Sequence, residues 1–386
     1  MKLKFIYLFL ILLFPFSVVA YPDFISYGYR TCITCHYNGQ GGGALNDYGR
    51  AVWASELTSQ AFTGKKTSDE LGESSGFLGK TELPWYVRPG VKYRGLFLRT
   101  DLGSAKAVDR FINMQVDGNV AFILDKKYEK VVVLSYDYTP TPIRFSTSNE
   151  TKPSNWLSRE YYLRWQLEKK QFLYVGFMDK FYGLKHPDHT AFNRALIRNS
   201  QDDQSHGIAY QYLAEKYDLT GHVLLGNLSQ DKDLRQVGLS GIFEYALAKT
   251  ITVGATAMSM SNDYLQQTNL AMISRLSFAK GKSFITELGL KNDTNKTLNT
   301  TILGYYGYMQ GLISVERGYN FLTTLQMYKA ELNSSSSVRN RFSVGGLFFP
   351  YPKTEFRIEV VNNRTAVPEN SSPDQWNLQA QVHLAL

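Results

Sequence analysis

"YYLRWQLE", residues 161–168, has two unlike faces. Side chains alternate along an extended chain, so Tyr161, Leu163, Trp165 and Leu167 share one side while Tyr162, Arg164, Gln166 and Glu168 share the other. "WNLQAQVHLAL", residues 376–386, repeats the pattern: Trp376, Leu378, Ala380, Val382, Leu384 and Leu386 alternate with Asn377, Gln379, Gln381, His383 and Ala385. A strand of a soluble sandwich also alternates, so the pattern decides the fold only together with what joins the strands.

From about Trp85 to residue 386 the chain falls into such segments, each roughly ten residues long. Tight connections at 125–128, 168–171, 215–218, 247–250, 279–283, 317–320 and 351–354 alternate with longer polar ones at 101–109, 141–155, 179–205, 229–234, 261–267, 292–298, 332–337 and 363–374. Seven short and eight long connections join sixteen strands. Short turns at one end, long loops at the other and an even strand count are the marks of an outer-membrane β-barrel. The expected fold class is therefore all-β, a transmembrane antiparallel barrel of about sixteen strands. The composition fits, with 26 Tyr and 23 Phe and no later apolar run long enough for a membrane helix. Both barrel ends then lie on the periplasmic side, and the lumen is an aqueous channel unless something fills it. The longest connection, 179–205, carries Phe, Leu and Ile beside its charges and is expected to fold inward. It holds His186 and His189 and leads to His206, whose spacing suits either a metal or a plain polar loop.

The first twenty residues read as a cleaved export signal. "MKLK" precedes an apolar run that is too short to span a membrane and is interrupted by Pro15, and Val18 and Ala20 form a small-residue cleavage site. The net charge of +8 falls by two when Lys2 and Lys4 leave with the signal. In an exported chain this basic balance suits a basic lumen or anionic lipid, and no nucleic-acid partner is expected.

Both cysteines of the chain lie in "CITCH", residues 32–36. C-x-x-C-H is the attachment pattern of haem c: Cys32 and Cys35 bond the two vinyl groups and His36 ligates the iron. A thioredoxin-type pair needs a βαβ context, and none is visible. A zinc site needs further ligands, and none is nearby. A simple disulfide stays open in an oxidising compartment. The glycines at 39 and 41–43 let the backbone pass close to a flat cofactor. Asn46 or Asp47 is placed to cap a helix through Trp53 to Leu57, whose Tyr48, Val52 and Leu57 would cover the cofactor. Arg50 is either a propionate partner or a solvated helix charge. The chain thus divides into a signal (1–20), a monohaem segment (21–60), a Ser, Gly and Lys rich linker (61–84) and the barrel (85–386). Forty residues are few for a separate cytochrome, so the segment borrows walls from the periplasmic mouth or lumen. By strand parity His383 and His222 face inward near that mouth, and they are the expected candidates for the second iron ligand, ahead of His186 and His189.

"PDF" (22–24), "CITCH" and "YGRAVW" (48–53), ahead of a barrel, resemble the fused monohaem cytochrome–porin family of outer-membrane proteins, which includes bacterial iron oxidases. The glycine run "GQGGG" (39–43) departs from the iron oxidases proper. The resemblance implies an electron conduit. One covalent haem c would link an extracellular donor or acceptor, Fe(II) among the donors, to a periplasmic electron carrier, with outer-membrane lipid around the barrel. A selective porin with the segment as plug or redox gate is the alternative.

Overall fold

A computed structural model of the chain describes residues 24–64, 66–79, 83–102, 107–147, 150–334, 338–366 and 374–385. The expected signal lies outside the described residues.

The strands come in seventeen hydrogen-bonded segments. The first six are β1 (Val87–Thr100), β2 (Val108–Ile123), β3 (Lys130–Thr147), β4 (Glu150–Leu157), β5 (Tyr161–Glu168) and β6 (Gln171–Met178). Then come β7 (Ser205–Leu213), β8 (Tyr217–Gly226), β9 (Val237–Ala248), β10 (Ile251–Ser261), β11 (Leu265–Ala279) and β12 (Lys282–Asn295). The last are β13 (Thr300–Glu316), β14 (Tyr319–Lys329), β15 (Val338–Phe348), β16 (Thr354–Ala366) and β17 (Gln375–Ala385). β4 and β5 follow one another along the same neighbour, β3, so the seventeen segments form sixteen staves. Every pairing is antiparallel, and β17 pairs with β1 from Lys92↔Ala385 to Arg99↔Leu378, which closes the barrel.

The alternation of the sequence is the alternation of the wall. On β8, Asp218, Thr220, His222 and Leu224 are buried, while Leu219, Val223 and Leu225 are exposed. On β5, Tyr162 and Arg164 point in and Tyr161 and Trp165 point out. The apolar side chains face outward around the barrel, the reverse of a soluble protein and the arrangement lipid requires. All seven expected tight turns are present. One expected long loop is not: β3 and β4 run through most of 141–155, and only 148–149, outside the described residues, are left to join them. Polar composition by itself does not separate a loop from a paired strand, so polarity there did not mean loop.

The lumen is packed. Residues 179–204 fold into it, as expected, and bury Phe181, Tyr182, Leu184, Phe192 and Ile197. Tyr182, Phe192 and Ile197 cluster with Leu224, Met258, Met260 and Tyr306 of the wall. The N-terminal segment enters from the end with the short turns. Tyr37 and Ala44 join Ala121, Ile123, Val131 and Val133 of β2 and β3. Trp53 and Leu57 join Leu312, Leu322, Leu347 and Ala385. The stretch 61–84, expected as a linker, holds the short helices Gln60–Thr63, entered at its start, and Ser68–Glu73. A capping box between Thr67 and Glu70 stabilises the second helix. Among the described residues no helix is long and apolar enough to cross a membrane.

Candidate functional site

The pentapeptide opens with a short 3-10 turn, Cys32–Thr34, and the chain then doubles back. His36 bridges to Leu45, and Tyr37 N donates to Ala44 O at 3.2 Å. The bend between them uses Gly41, Gly42 and Gly43, all with positive φ. Asn46 ties the next helix, Asp47–Val52, to the motif. Its Oδ1 accepts from Gly49 N at 2.8 Å, and its Nδ2 donates to Thr34 O at 3.0 Å. Asn46, not Asp47, is therefore the cap. The helix continues as a π-turn, Trp53–Leu57.

Gly49 faces the motif backbone so closely that a Cβ there would lie 2.3 Å from Cys35 O. The Gly49→Ala variant is expected to displace the helix from the motif at a cost of about 1–3 kcal/mol. The check is the yield of folded, heat-modifiable protein and the thermal midpoint of the segment's near-ultraviolet signal. An unchanged midpoint refutes the packing.

The barrel grips the segment by polar contacts. Arg30 donates to Ala214 O at 2.7 Å and pairs with Asp218 at 2.9 Å. Arg88 pairs with Asp47 at 2.7 Å. Arg317 donates to Thr58 O at 2.7 Å, and Lys353 to Gly76 O at 2.6 Å. From the other side, Gln40 Nε2 donates to Tyr182 O of the inward loop at 2.7 Å.

Cys32, Cys35 and His36 lie together on the wall of one lumenal cavity of about 270 Å³. Both thiols are free, and His36 Nδ1 is buried without a partner. Lys92, Arg94 and Lys185 contribute charge to the same wall, and Trp53, Leu45 and Leu57 apolar surface. Two thiols at this spacing, an imidazole with an unmet nitrogen, a tight glycine bend and cationic heads form a donor set that fits a covalently held haem.

The expected site residues divide. His383 lies on this cavity, its ring 5.7 Å from that of Trp53 and its Nδ1 3.5 Å from Glu355 Oε2. His222 faces inward as expected, but Phe181 of the inward loop covers its ring at 5.5 Å, so it does not line the cavity. His186 does line it, stacked on Tyr308 at 4.0 Å with Nε2 on Asn193 Oδ1 at 3.0 Å. Burial pushes His186 down to about 3. The paired arrangement with His189 and His206 is absent: His206 points outward, bonded to Tyr161 Oη at 2.5 Å. Among the described residues no three His, Cys, Asp or Glu side chains gather as metal ligands. Arg50 donates to Pro89 O at 2.6 Å and lies off the cavity, so it pins the helix to β1. Tyr48, expected to cover the cofactor, is exposed.

Sequence reasoning overlooked Lys92 and Arg94, although they share the inward parity of β1 with Arg88. It also overlooked Glu355, whose role depends on the β16–β17 register, Glu355↔His383. Part of the inward positive charge is paired with carboxylates. Arg159 pairs with Asp117 at 2.6 Å and Asp202 at 2.8 Å, Arg275 with Glu244 at 2.5 Å, and Arg357 with Glu359. Within the loop, burial raises the Asp188 carboxyl while Arg341, His186 and Arg357 hold it down, and the net shift is below the usual carboxylate range.

The sequence matches no protein-family model, and no curated protein is similar to it. The structure is similar to solved outer-membrane barrels. OmpT of Vibrio cholerae is 7% identical at TM-score 0.59, over 78% of this chain and 97% of that one. An anion-selective porin from Comamonas acidovorans is 8% identical at TM-score 0.55, over 78% and 99%. The outer membrane channel DcaP of Acinetobacter baumannii is 10% identical at TM-score 0.56, over 78% and 97%. At these identities the likeness is one of fold: that of the outer-membrane porins.

Proposed function

We propose that this barrel sits in the outer membrane with its short turns and both termini in the periplasm. In this reading it belongs with the fused cytochrome–porin proteins and conducts electrons between an extracellular partner, Fe(II) in the first instance, and a periplasmic carrier. The observation that carries the reading is the placement of Cys32, Cys35 and His36 on one cavity inside a packed lumen. Cys32 and Cys35 would hold the haem covalently and His36 would ligate it. Lys92 and Arg94 supply positive charge suited to its propionates, while Lys185 is paired with Asp179 on the same wall. A bound haem supplies reversible one-electron chemistry. The chain's own part is placement. The strands carry the site across lipid, the inward loop excludes bulk water from one side, and the glycine bend brings backbone close. Glu355 orients the His383 ring, as carboxylates do behind metal-bound histidines.

A reduced-minus-oxidised spectrum of the purified protein, titrated with Fe(II), tests the reading. A haem c band that Fe(II) reduces is expected, and a haem that stays oxidised in excess Fe(II) removes Fe(II) as donor. His383→Ala is expected to alter the low-spin spectrum and His222→Ala to leave it unchanged, because Phe181 already occupies the His222 face. The reverse result overturns the assignment of His383.

The second reading, a porin plugged by its segment, draws on the polar grip just described, since hydrogen bonds to turns can be released. Liposome conductance of the intact protein in both redox states separates the two. Intact protein that stays closed in both the oxidised and the reduced state supports the conduit, and intact protein whose conductance opens on a change of redox state supports the gated porin.

A further inference from the structure

Each of the seven short turns carries a basic residue. Across 124–129, 169–170, 214–216, 249–250, 280–281, 317–318 and 349–353 there are nine Lys and Arg against three Asp and Glu. The connections at the other end, 101–107, 148–149, 179–204, 227–236, 262–264, 296–299, 330–337 and 367–374, hold eight against eleven. The positive charge of the chain is thus polarised to one mouth. Part of it anchors the segment: Arg317 and Lys353 bond its backbone, and Lys280 pairs with Glu56 at 2.7 Å. The rest has no such task. Lys126, Lys127, Lys169, Lys170, Lys216 and Lys249 are all exposed.

The ring encircles the place where the C-x-x-C-H segment comes nearest to water. Arg30 binds the turn at 214–215 and Gly281 N donates to Ser26 O, so residues 26–34 sit across this mouth. Cys32 is half-buried there, and Tyr29 and Tyr48 stack edge to face at 5.8 Å with Tyr48 49% exposed. An aromatic centre with a predominantly positive rim has the anatomy of a transient protein encounter, in which the rim steers and the centre docks. The lysines project past the outward aromatics at the strand ends, among them Trp165, Tyr217 and Tyr245, all exposed. Such aromatics mark the membrane interface. The lysines therefore stand on the aqueous side, placed for a soluble protein rather than for lipid headgroups.

We propose that the short-turn mouth is the docking face for a soluble redox protein with an acidic surface. This rests on the electron-conduit reading and names the chemistry of its periplasmic partner. The test uses full-length protein in phosphatidylcholine nanodiscs, with binding measured by biolayer interferometry. The probes are two small soluble c-type cytochromes, one of acidic and one of basic isoelectric point. The acidic probe is expected to bind, to weaken by about tenfold or more between ~20 and ~200 mM salt, and to lose about tenfold or more in K126E/K127E/K169E/K170E/K216E. None of those positions touches the cavity or anchors the segment. Equal binding of the two probes overturns the proposal, as does an affinity unchanged within about twofold in the variant. So does a difference that appears only in nanodiscs containing phosphatidylglycerol, which assigns the ring to lipid. If the variant does not assemble, the salt dependence and the contrast between probes on the wild type decide. Binding does not require the haem band, so a missing band with intact docking sinks the conduit and leaves the docking face standing.

Discussion

Replacing Cys32 and Cys35 by alanine together is expected to abolish covalent haem completely, because both thioether bonds are lost at once. The prediction has structural content beyond the motif. The two thiols are free and line the same cavity as His36. The segment that presents them is held from both sides, by Asn46 on Thr34 O and by Arg30 on the turn at 214–215. Those holds do not involve sulfur, so the double variant is expected to fold and insert with the barrel intact. The readout is haem-linked peroxidase staining after denaturing electrophoresis. Wild type stains and the variant does not, at equal protein and equal heat-modifiable shift. A colourless wild-type band from cells with working cytochrome c maturation sinks the haem reading and leaves the rivals. A disulfide between Cys32 and Cys35 would then show as a reductant-dependent thiol count.

Deleting residues 375–386 is expected to abolish assembly rather than weaken it. β17 has eight register partners on β1 and ten on β16. Its removal opens two edges in hydrocarbon, where each unsatisfied backbone group costs several kcal/mol, so no partly closed barrel is viable. The deletion also removes His383 and Ala385 from around Trp53. The measurement is recovery of a heat-modifiable, protease-resistant form in the outer membrane. Recovery of the truncated chain folded and soluble in the periplasm would overturn the membrane barrel.

Much of this was open to a reader of the sequence. Lipid on one side of the wall and a polar lumen on the other impose the two faces of "YYLRWQLE" and "WNLQAQVHLAL", and turns alternate in length because only one end carries long loops. C-x-x-C-H is equally local, since its chemistry lies within five residues. The loop expected at 141–155 is largely strand because polar composition by itself does not separate a loop from a paired strand. The stretch expected as a linker holds two short helices, Gln60–Thr63 and Ser68–Glu73, and a capping box and contacts from Arg317 and Lys353 hold parts of it. For Arg50, expected as a propionate partner or a solvated helix charge, the structure shows a bond from Nη2 to the carbonyl of Pro89 and leaves Nη1 buried without a partner.

The sequence by itself determined the barrel, its strand parity, the inward loop and the motif, since each follows from a repeating or contiguous pattern. Tertiary structure alone decided which inward histidine meets the cavity. His222 and His383 have the same parity, yet Phe181, folded in from a loop some forty residues away in sequence, covers one, while Glu355 and Trp53 frame the other. Parity sets only the side of the wall a residue faces. What stands opposite it across the lumen depends on barrel closure and on which segments enter, and neither leaves a mark in the strand that carries the histidine.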